Sequence, residues 1–343
     1  MIKILKKCFI RIVLFVVVIF LVFTLFTGIL LETAAVPTFM SGGREAMDRI
    51  QQQDPNDFSF IVLGDSKCGT ATMESFLEII EQENPAFIVF LGDFASKPTI
   101  YAHRFFITET KEYAASFPLL VVPGNHDVDI EGPFTINDFE SLYGAAQKSF
   151  CIGNNLFIFL NNVNQYNSEG QYIDFLEKTI KSRVVPPSRI FVFMHIPPAG
   201  LKAPLLCQAP VDSERFLDTA RKYHIDYVFC GDHHGYIKTK LDDVNFIISG
   251  GGGDDLRGKQ GRFHHAVRIA IDSNEISETV IAVKRQVEAI EMLEQNIANY
   301  IWPFVVNNKL TAAGIALVLI YPCFIHNNRR KIFLFFKTKI RRN

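Results

Sequence analysis

Val121-Val122-Pro123-Gly124-Asn125-His126-Asp127 reads as a buried strand that ends abruptly in a polar turn. Apolar residues run directly into Gly-Asn-His-Asp, and Pro123 cannot continue a sheet ladder. In an open α/β sheet, ligand groups gather at the C-terminal ends of strands. This turn presents an amide oxygen, an imidazole and a carboxylate side by side. Asparagine supplies a neutral oxygen for a hard cation, and histidine binds metal or moves protons. The competing reading of these four residues alone is a polar loop with an incidental histidine, since short motifs recur by chance.

The pattern repeats on both sides. Upstream, Phe58–Leu63 is an apolar run that ends at Gly64-Asp65-Ser66-Lys67, and Ala86–Leu91 is another that ends at Gly92-Asp93. Helical spacing fills the intervals, over Met73–Gln82 and Ile100–Phe117. Strand, helix, strand, helix, strand predicts a parallel α/β core. Downstream, Ser149–Ile152 and Leu156–Leu160 flank Gly153-Asn154-Asn155 as a hairpin. Tyr172–Ser182 has helical spacing. Ile190–Met194 is a strand that delivers His195, Asp212–Tyr223 is a helix, and Tyr227–Cys230 is a strand running into Gly231-Asp232-His233-His234. Asn245–Ser249 runs into Gly250–Gly253, a run without side chains that permits close backbone approach. Ala266–Ile271 and Ile276–Lys284 form a final hairpin.

Charge is distributed unevenly along the 343 residues. Residues 1–31 hold four Lys/Arg and no acid, and residues 301–343 hold eight Lys/Arg and no acid. The remainder keeps 23 bases against 36 acids, a net −13. An acidic body argues against nucleic-acid binding, which wants a basic face on the folded domain. Basic ends suggest a membrane protein whose termini stay in the cytoplasm. Ile12–Leu31 is 20 residues without a charge, preceded by Lys3, Lys6, Lys7 and Arg11. That length crosses a bilayer. A cleaved signal peptide is the rival, with Thr33-Ala34-Ala35 near a plausible cleavage point, but the apolar run exceeds a usual signal core. Leu310–Ile325, followed by Arg329, Arg330 and Lys331, reads as a returning transmembrane helix if Phe304–Val306 contribute; an in-plane helix is its rival. The six cysteines form no CxxC pair, which removes zinc-ribbon and thioredoxin readings.

Five strand ends thus carry Asp65, Asp93, Asn125 with His126, His195, and Asp232 with His234. A lone aspartate after a strand is commonly a helix cap, and a lone buried histidine is commonly structural. Five such ends together predict one cluster at a sheet edge, with donors suited to a pair of Mn, Fe, Zn or Mg ions.

In order and spacing these motifs resemble the calcineurin-like metallophosphoesterases, a group that includes purple acid phosphatases and many bacterial phosphoesterases. The family pattern is Asp-x-His, Gly-Asp, Gly-Asn-His-Asp/Glu, a lone His, then Gly-His-x-His. The resemblance covers about 58–284 and implies an α/β fold, a four-layer αββα sandwich of two mixed β-sheets. It implies two divalent metal ions: Asp93 bridging, Asp65 and His234 on the first, and Asn125, His195 and Asp232 on the second. It implies that His126 meets phosphate oxygens and that Asp127 orients it. Two positions depart from the pattern. Lys67 stands where the first motif has His, and a protonated amine is no ligand, so Lys67 is expected to meet substrate phosphate instead. Asp232 stands where the last motif has its first His, and as a harder donor it tilts the site toward Mn or Mg.

The expected organisation is a basic cytoplasmic segment at 1–11, a transmembrane helix at 12–31, a stalk at 32–57 and a phosphoesterase domain at 58–284. A linker helix at 285–303, a second transmembrane helix at 304–325 and a basic cytoplasmic tail at 326–343 follow. The expected function is hydrolysis of a phosphate mono- or diester outside the cytoplasm, at the membrane bilayer. The alternative is a catalytically weakened or non-enzymatic phosphate-binding or scaffold domain.

Overall fold

The computed structural model describes residues 2–36, 43–67, 69–111, 113, 117–163, 170–201, 205, 209–210, 212–257, 261–273, 275–319 and 321. Cys68, Cys207, Cys323, part of the Ala199–Pro210 loop, part of the 32–57 stalk and the 326–343 tail lie outside them. The chain divides into two compact units, Ala34–Met292 and a second formed by the residues through Thr33 with those from Leu293 onward.

The second unit contains α1 (Ile2–Thr33), within which Arg11–Thr33 is long and apolar enough to cross a membrane, as a signal sequence also would be. Gly28 leaves no side chain between α1 and the indole of Trp302, whose Nε1 donates to Glu32 at 3.2 Å.

In the Ala34–Met292 unit, α2 (Arg44–Gln51) precedes β1 (Asp57–Leu63). The polar composition of this region predicts a stalk. The helix forms because Ala46 and Ile50, four apart, are both buried, and Ile50 joins the core. Then follow α3 (Thr70–Glu83), β2 (Phe87–Phe90), α4 (Ile100–Thr110) and β3 (Leu119–Val121). Asn84, left-handed at φ 44°, closes α3, and the Thr99 hydroxyl caps α4 by accepting from the Ala102 amide. Next come α5 (Ile136–Tyr143), which opens with a Thr135/Asp138 capping box, and the hairpin of β4 (Lys148–Ile152) and β5 (Asn155–Phe159). The chain continues through α6 (Gln171–Lys181), β6 (Arg189–Phe193), α7 (Ser213–Lys222) and β7 (Tyr227–Cys230). It ends in β8 (Tyr236–Leu241), β9 (Val244–Ser249), β10 (His264–Asp272) and β11 (Glu275–Val283).

These strands form two mixed sheets, in the orders β11-β10-β1-β2-β3 and β4-β5-β6-β7-β9-β8. Between them lies a core dominated by phenylalanine: Phe60 and Phe87 from one sheet, Phe157, Phe191, Phe193 and Phe229 from the other. The Phe60 ring meets those of Phe157, Phe191, Phe193 and Phe229 edge-on at 5.5–5.8 Å. Each such pair adds ~0.5–1.5 kcal/mol to the ~1.5–3 kcal/mol of burying one ring. α3, α4 and α5 cover the outer face of the first sheet, α6 and α7 that of the second. The architecture is therefore the expected four-layer αββα sandwich.

Register then sets the height of the strand ends. Leu63 pairs with Phe90, and Phe90 with Val121, so β1, β2 and β3 stop level. In the second sheet Phe193, the last residue of β6, pairs with Phe229, one residue before β7 ends, so these strands stop within a residue of each other. Five polar turns emerge at one edge of the sandwich.

From α8 (Ala289–Asn296) the chain passes through a π turn (Ile297–Ile301) into α9 (Trp302–Asn307). It bends by 106° before a further helix, Lys309–Leu319. Asn308, at φ −129° and ψ 48°, makes the break. Phe304–Val306 therefore lie on a different helix from the apolar segment they were expected to lengthen.

The buried His103 of α4 links this core to the edge. Its Nε2 faces the Asp127 carbonyl at 2.7 Å, which fixes a proton there, and Nδ1 then accepts from the Tyr143 hydroxyl at 3.1 Å. Burial pushes its pKa down to about 3. The folded-state value lies below the unfolded one, so its neutral form supports folding fully above about pH 6.5, and that support fades as pH falls toward 3. His103→Gln should flatten the loss of stability between pH 6.5 and 4 in urea titrations. An unchanged slope would mean that His103 does not set acid sensitivity.

Candidate metal centre

Asp65, Asp93, Asp232 and His234 all adopt positive φ, at 61°, 55°, 62° and 54°. Left-handed backbone is costly for residues with a Cβ, though Asp and His tolerate it better than most. Here it turns each chain sharply off its strand, so that the side chain points back over the sheet edge. Two glycines make room. A Cβ at Gly231 would lie 2.8 Å from Asp65 Oδ2, and one at Gly250 would lie 2.7 Å from the same oxygen. The cluster spans both sheets, not the edge of one, with three turns from the first and two from the second.

One donor group comprises Asp93, His195 and Asp232, whose nearest donor atoms lie within 4.8 Å of one another. His195 follows β6 and is fully buried. Its Nδ1 donates to the Leu91 carbonyl at 2.6 Å, which aims Nε2 into the cluster. There Nε2 lies 3.0 Å from Asn125 Oδ1, 3.4 Å from Asp93 Oδ1 and 3.7 Å from Asp232 Oδ1. Asn162 holds this turn: its Oδ1 accepts from the amides of His195 and Ile196, each at 3.1 Å, and its Nδ2 donates to the Ile196 carbonyl. Burial would lower the His195 pKa, but Asp93, Asp232 and Asp65 raise it to about 9. Three carboxylates around one imidazole call for a cation, and the donor set fits a hard divalent ion.

The other group comprises Asp65, Asp93 and His234. The His234 Nδ1 donates to the Asp255 carbonyl at 2.8 Å, and Nε2 lies 3.4 Å from Asp65 Oδ1. Asp65 Oδ2 accepts from the Asp232 amide at 2.9 Å, while Oδ1 is buried without a hydrogen bond. Such an oxygen fits a cation, and burial raises this carboxyl well above its ordinary range.

Lys67 is not turned toward solvent to await a phosphate. It is 6% exposed, and its ammonium donates to Asp93 Oδ2 at 2.7 Å, with Asp254 Oδ2 at 3.6 Å. Burial opposes its charge, but Asp93, Asp65 and Asp254 raise its pKa above the ordinary lysine value, so it remains an ammonium. Burial likewise opposes ionisation of Asp93, but His195, Lys67 and His126 hold that carboxyl at about 2. Deleting one partner of a buried pair costs ~3–5 kcal/mol.

Asp127 also differs from expectation. Its Oδ2 accepts from the amides of Asp93 and Gly124, each at 2.8 Å, and its Oδ1 from those of Phe94 at 3.1 Å and Ala95 at 2.8 Å. It therefore holds the Asp93 turn rather than the His126 ring. Burial, reinforced by Asp93, pushes its pKa up to about 7. His126 is the half-exposed member, 47% open, with Nε2 3.9 Å from Asp93 Oδ2. Burial of the rest of the ring lowers its pKa. Asp254, Asn162 and His103 are absent from the sequence-derived site. Asp254 follows the Gly250–Gly253 run, a signal that was available; Asn162 and His103 carry none. His224 is exposed, and His264 and His265 are buried beside Gly251.

A family model described as calcineurin-like phosphoesterase matches residues 58–236, a span containing every residue that the sequence assigns to the site. A purple acid phosphatase from yellow lupin (Lupinus luteus) superposes with a TM-score of 0.50 at 15% identity, over 69% of this chain and 55% of the lupin chain. The chain thus spans about half the length of that enzyme. A dimetal phosphatase from Danio rerio superposes with a TM-score of 0.53 at 11% identity, over 68% of this chain and 100% of the other. At such identities the likeness is one of fold. Comparison with curated proteins gives no match.

Asp127→Asn would place an NH2 group against amide donors that now meet a carboxylate. Metal affinity should fall ~10–100-fold although Asp127 is no ligand, the usual effect of losing an outer support. Titration calorimetry with Mn2+ reads this directly, and wild-type affinity would detach Asp127 from the site.

Proposed function

We propose that this chain, which belongs to the calcineurin-like phosphoesterase family, is a membrane-anchored, metal-dependent hydrolase of a phosphate mono- or diester. The observation that carries the reading is the fixed His195 imidazole, which turns one nitrogen toward Asn125, Asp93 and Asp232 together. Asp93, Asn125, His195 and Asp232 would hold one divalent ion, and Asp65, Asp93 and His234 form the other candidate position. With Asp232 as a carboxylate, the donor chemistry favours Mn or Mg. A bound divalent ion supplies Lewis acidity, lowering the pKa of water and offsetting the charge of a phosphoester.

The chain's own residues then act as follows. Asp93 stays ionised through its cationic neighbours and is the acceptor common to both groups. Asp127, through backbone amides, keeps the Asp93 turn in place. His126 is open to solvent beside Asp93, where a substrate oxygen would arrive, and it donates a hydrogen bond or a proton there. Burial lowers its pKa and so favours the neutral ring, whose N–H donates a hydrogen bond to such an oxygen.

One observation favours a second reading, a phosphate-binding or scaffold domain without turnover: the Lys67 ammonium sits where the family places an imidazole ligand. Asp93→Asn separates the two. A neutral amide holds a cation poorly, so turnover of an aryl phosphate monoester or diester should fall at least ~100-fold and bound metal should drop, with folding intact by circular dichroism. No turnover by the unaltered chain, with metal bound, would favour the scaffold.

We further place residues 12–31 across the membrane and the apolar segment 310–325 as the returning one, with the 58–284 domain outside the cytoplasm and the basic ends inside. The Lys/Arg bias at both ends supports this orientation. Reporter fusions at residue 150 should report an extracytoplasmic location; a cytoplasmic signal would overturn it.

A further inference from the structure

Asp93 is shared by both donor groups, and its two oxygens meet different partners. Oδ1 accepts from the His126 amide at 2.9 Å and lies 3.4 Å from His195 Nε2. Oδ2 accepts from the Lys67 ammonium at 2.7 Å. The Lys67 amide also donates to the Asp93 carbonyl at 3.0 Å, so the lysine is docked on this turn by backbone and side chain alike. Asp254 completes the arrangement. Its Oδ2 lies 3.6 Å from Lys67 Nζ and 3.6 Å from His234 Nδ1, and its amide donates to the Asp65 carbonyl at 2.9 Å. Asp254 therefore ties the lysine to the first donor group.

An ammonium has three donors and no lone pair, so it balances charge without ligating. We propose that the Lys67 ammonium, held by Asp93 and Asp254, is the built-in cation of the first donor group, so that the centre takes up one exchangeable divalent ion, at Asp93, Asn125, His195 and Asp232. The inference rests on the phosphoesterase reading and adds the metal count and the role of Lys67. Its physical basis is competition for one oxygen. With Oδ1 turned to His195, the Asp93 oxygen left for a divalent ion on Asp65, Asp93 and His234 is Oδ2, which the ammonium already holds. Displacing the ammonium would cost a buried positive charge its shortest ion pair, 2.7 Å to Asp93 against 3.6 Å to Asp254, and an under-paired buried charge is strongly unfavourable. The second group faces Oδ1, which meets the His126 amide and His195 Nε2 rather than the lysine ammonium.

The replacement of an imidazole by an ammonium is thus a change of cation, from an exchangeable ion to a covalently tethered one. The tethered charge has half the valence of the ion and no open coordination position. It can hold Asp93 ionised, but it cannot bring a water to the phosphorus, which leaves that task to the second group.

The test uses the purified full-length chain in detergent, loaded with Mn2+ and dialysed. Ions per chain are counted by plasma mass spectrometry, and electron paramagnetic resonance reads whether they are magnetically coupled. Wild type should hold one ion per chain with an uncoupled spectrum. Lys67→His should hold two ions with a coupled spectrum, because the imidazole removes the competing charge and adds a ligand. Two coupled ions in wild type that turns over an aryl phosphate would overturn this inference and leave the phosphoesterase reading standing. No bound ion in wild type would remove both. Should Lys67→His fail to fold, the count and spectrum of wild type decide alone.

Discussion

Carboxylates crowded out of water at one place repel one another, and the edge of this sandwich is organised around that repulsion. Asp65, Asp93 and Asp127 are fully buried, and Asp254 nearly so. Two of them are compensated by different devices, and a third is not fully compensated. Asp127 is surrounded by four backbone amides. Asp93 is flanked by an ammonium and an imidazole. Asp65 keeps one buried oxygen without a hydrogen bond. The opposite shifts of neighbouring carboxyls, Asp93 to about 2 and Asp127 to about 7, follow from these surroundings rather than from residue type. Unlike pKa values side by side in a cleft of buried carboxylates mark a candidate functional centre.

Such a cluster survives only if the scaffold under it is rigid. The phenylalanines between the sheets supply this, since an interior packed at crystal density resists the small displacements that carboxylate repulsion would otherwise drive. Level strand ends then convert packing into geometry. Asp65, Asp93 and Asn125 leave three adjacent parallel strands whose last paired residues, Leu63, Phe90 and Val121, stand in one row. His195 and Asp232 leave β6 and β7 in the same way. The left-handed turns at Asp65, Asp93, Asp232 and His234 are local strain that this scaffold can bear, and their concentration at the edge is typical of functional sites.

The sequence made the strand-and-turn frame legible because each apolar run ends at a Gly, Asp, Asn or His punctuation that is purely local. The positions of Asp65, Asp93, Asn125, His195, Asp232 and His234 at strand ends followed from that rhythm. What side chains do after the turn is tertiary, and there the reading failed. Lys67 looked free to meet a substrate, but a basic residue two places from one buried aspartate is drawn to the next strand's aspartate. Asp127 looked like a partner of the adjacent His126, yet the nearest unsatisfied donors were amides of the neighbouring β2 turn. Asn162 enters from a distant segment with no motif of its own, whereas Asp254 directly follows the Gly250–Gly253 run. The short helix Arg44–Gln51 was hidden because few of its residues, Ala46, Met47 and Ile50, commit it to the interior.

The central claim is that the edge gathers a cation on Asp93, Asn125, His195 and Asp232. Anomalous diffraction from manganese-soaked crystals tests it most directly. The account predicts a peak within coordination distance of all four side chains. Ordered side chains with no peak among them, or an ion bound elsewhere on the edge, would contradict it.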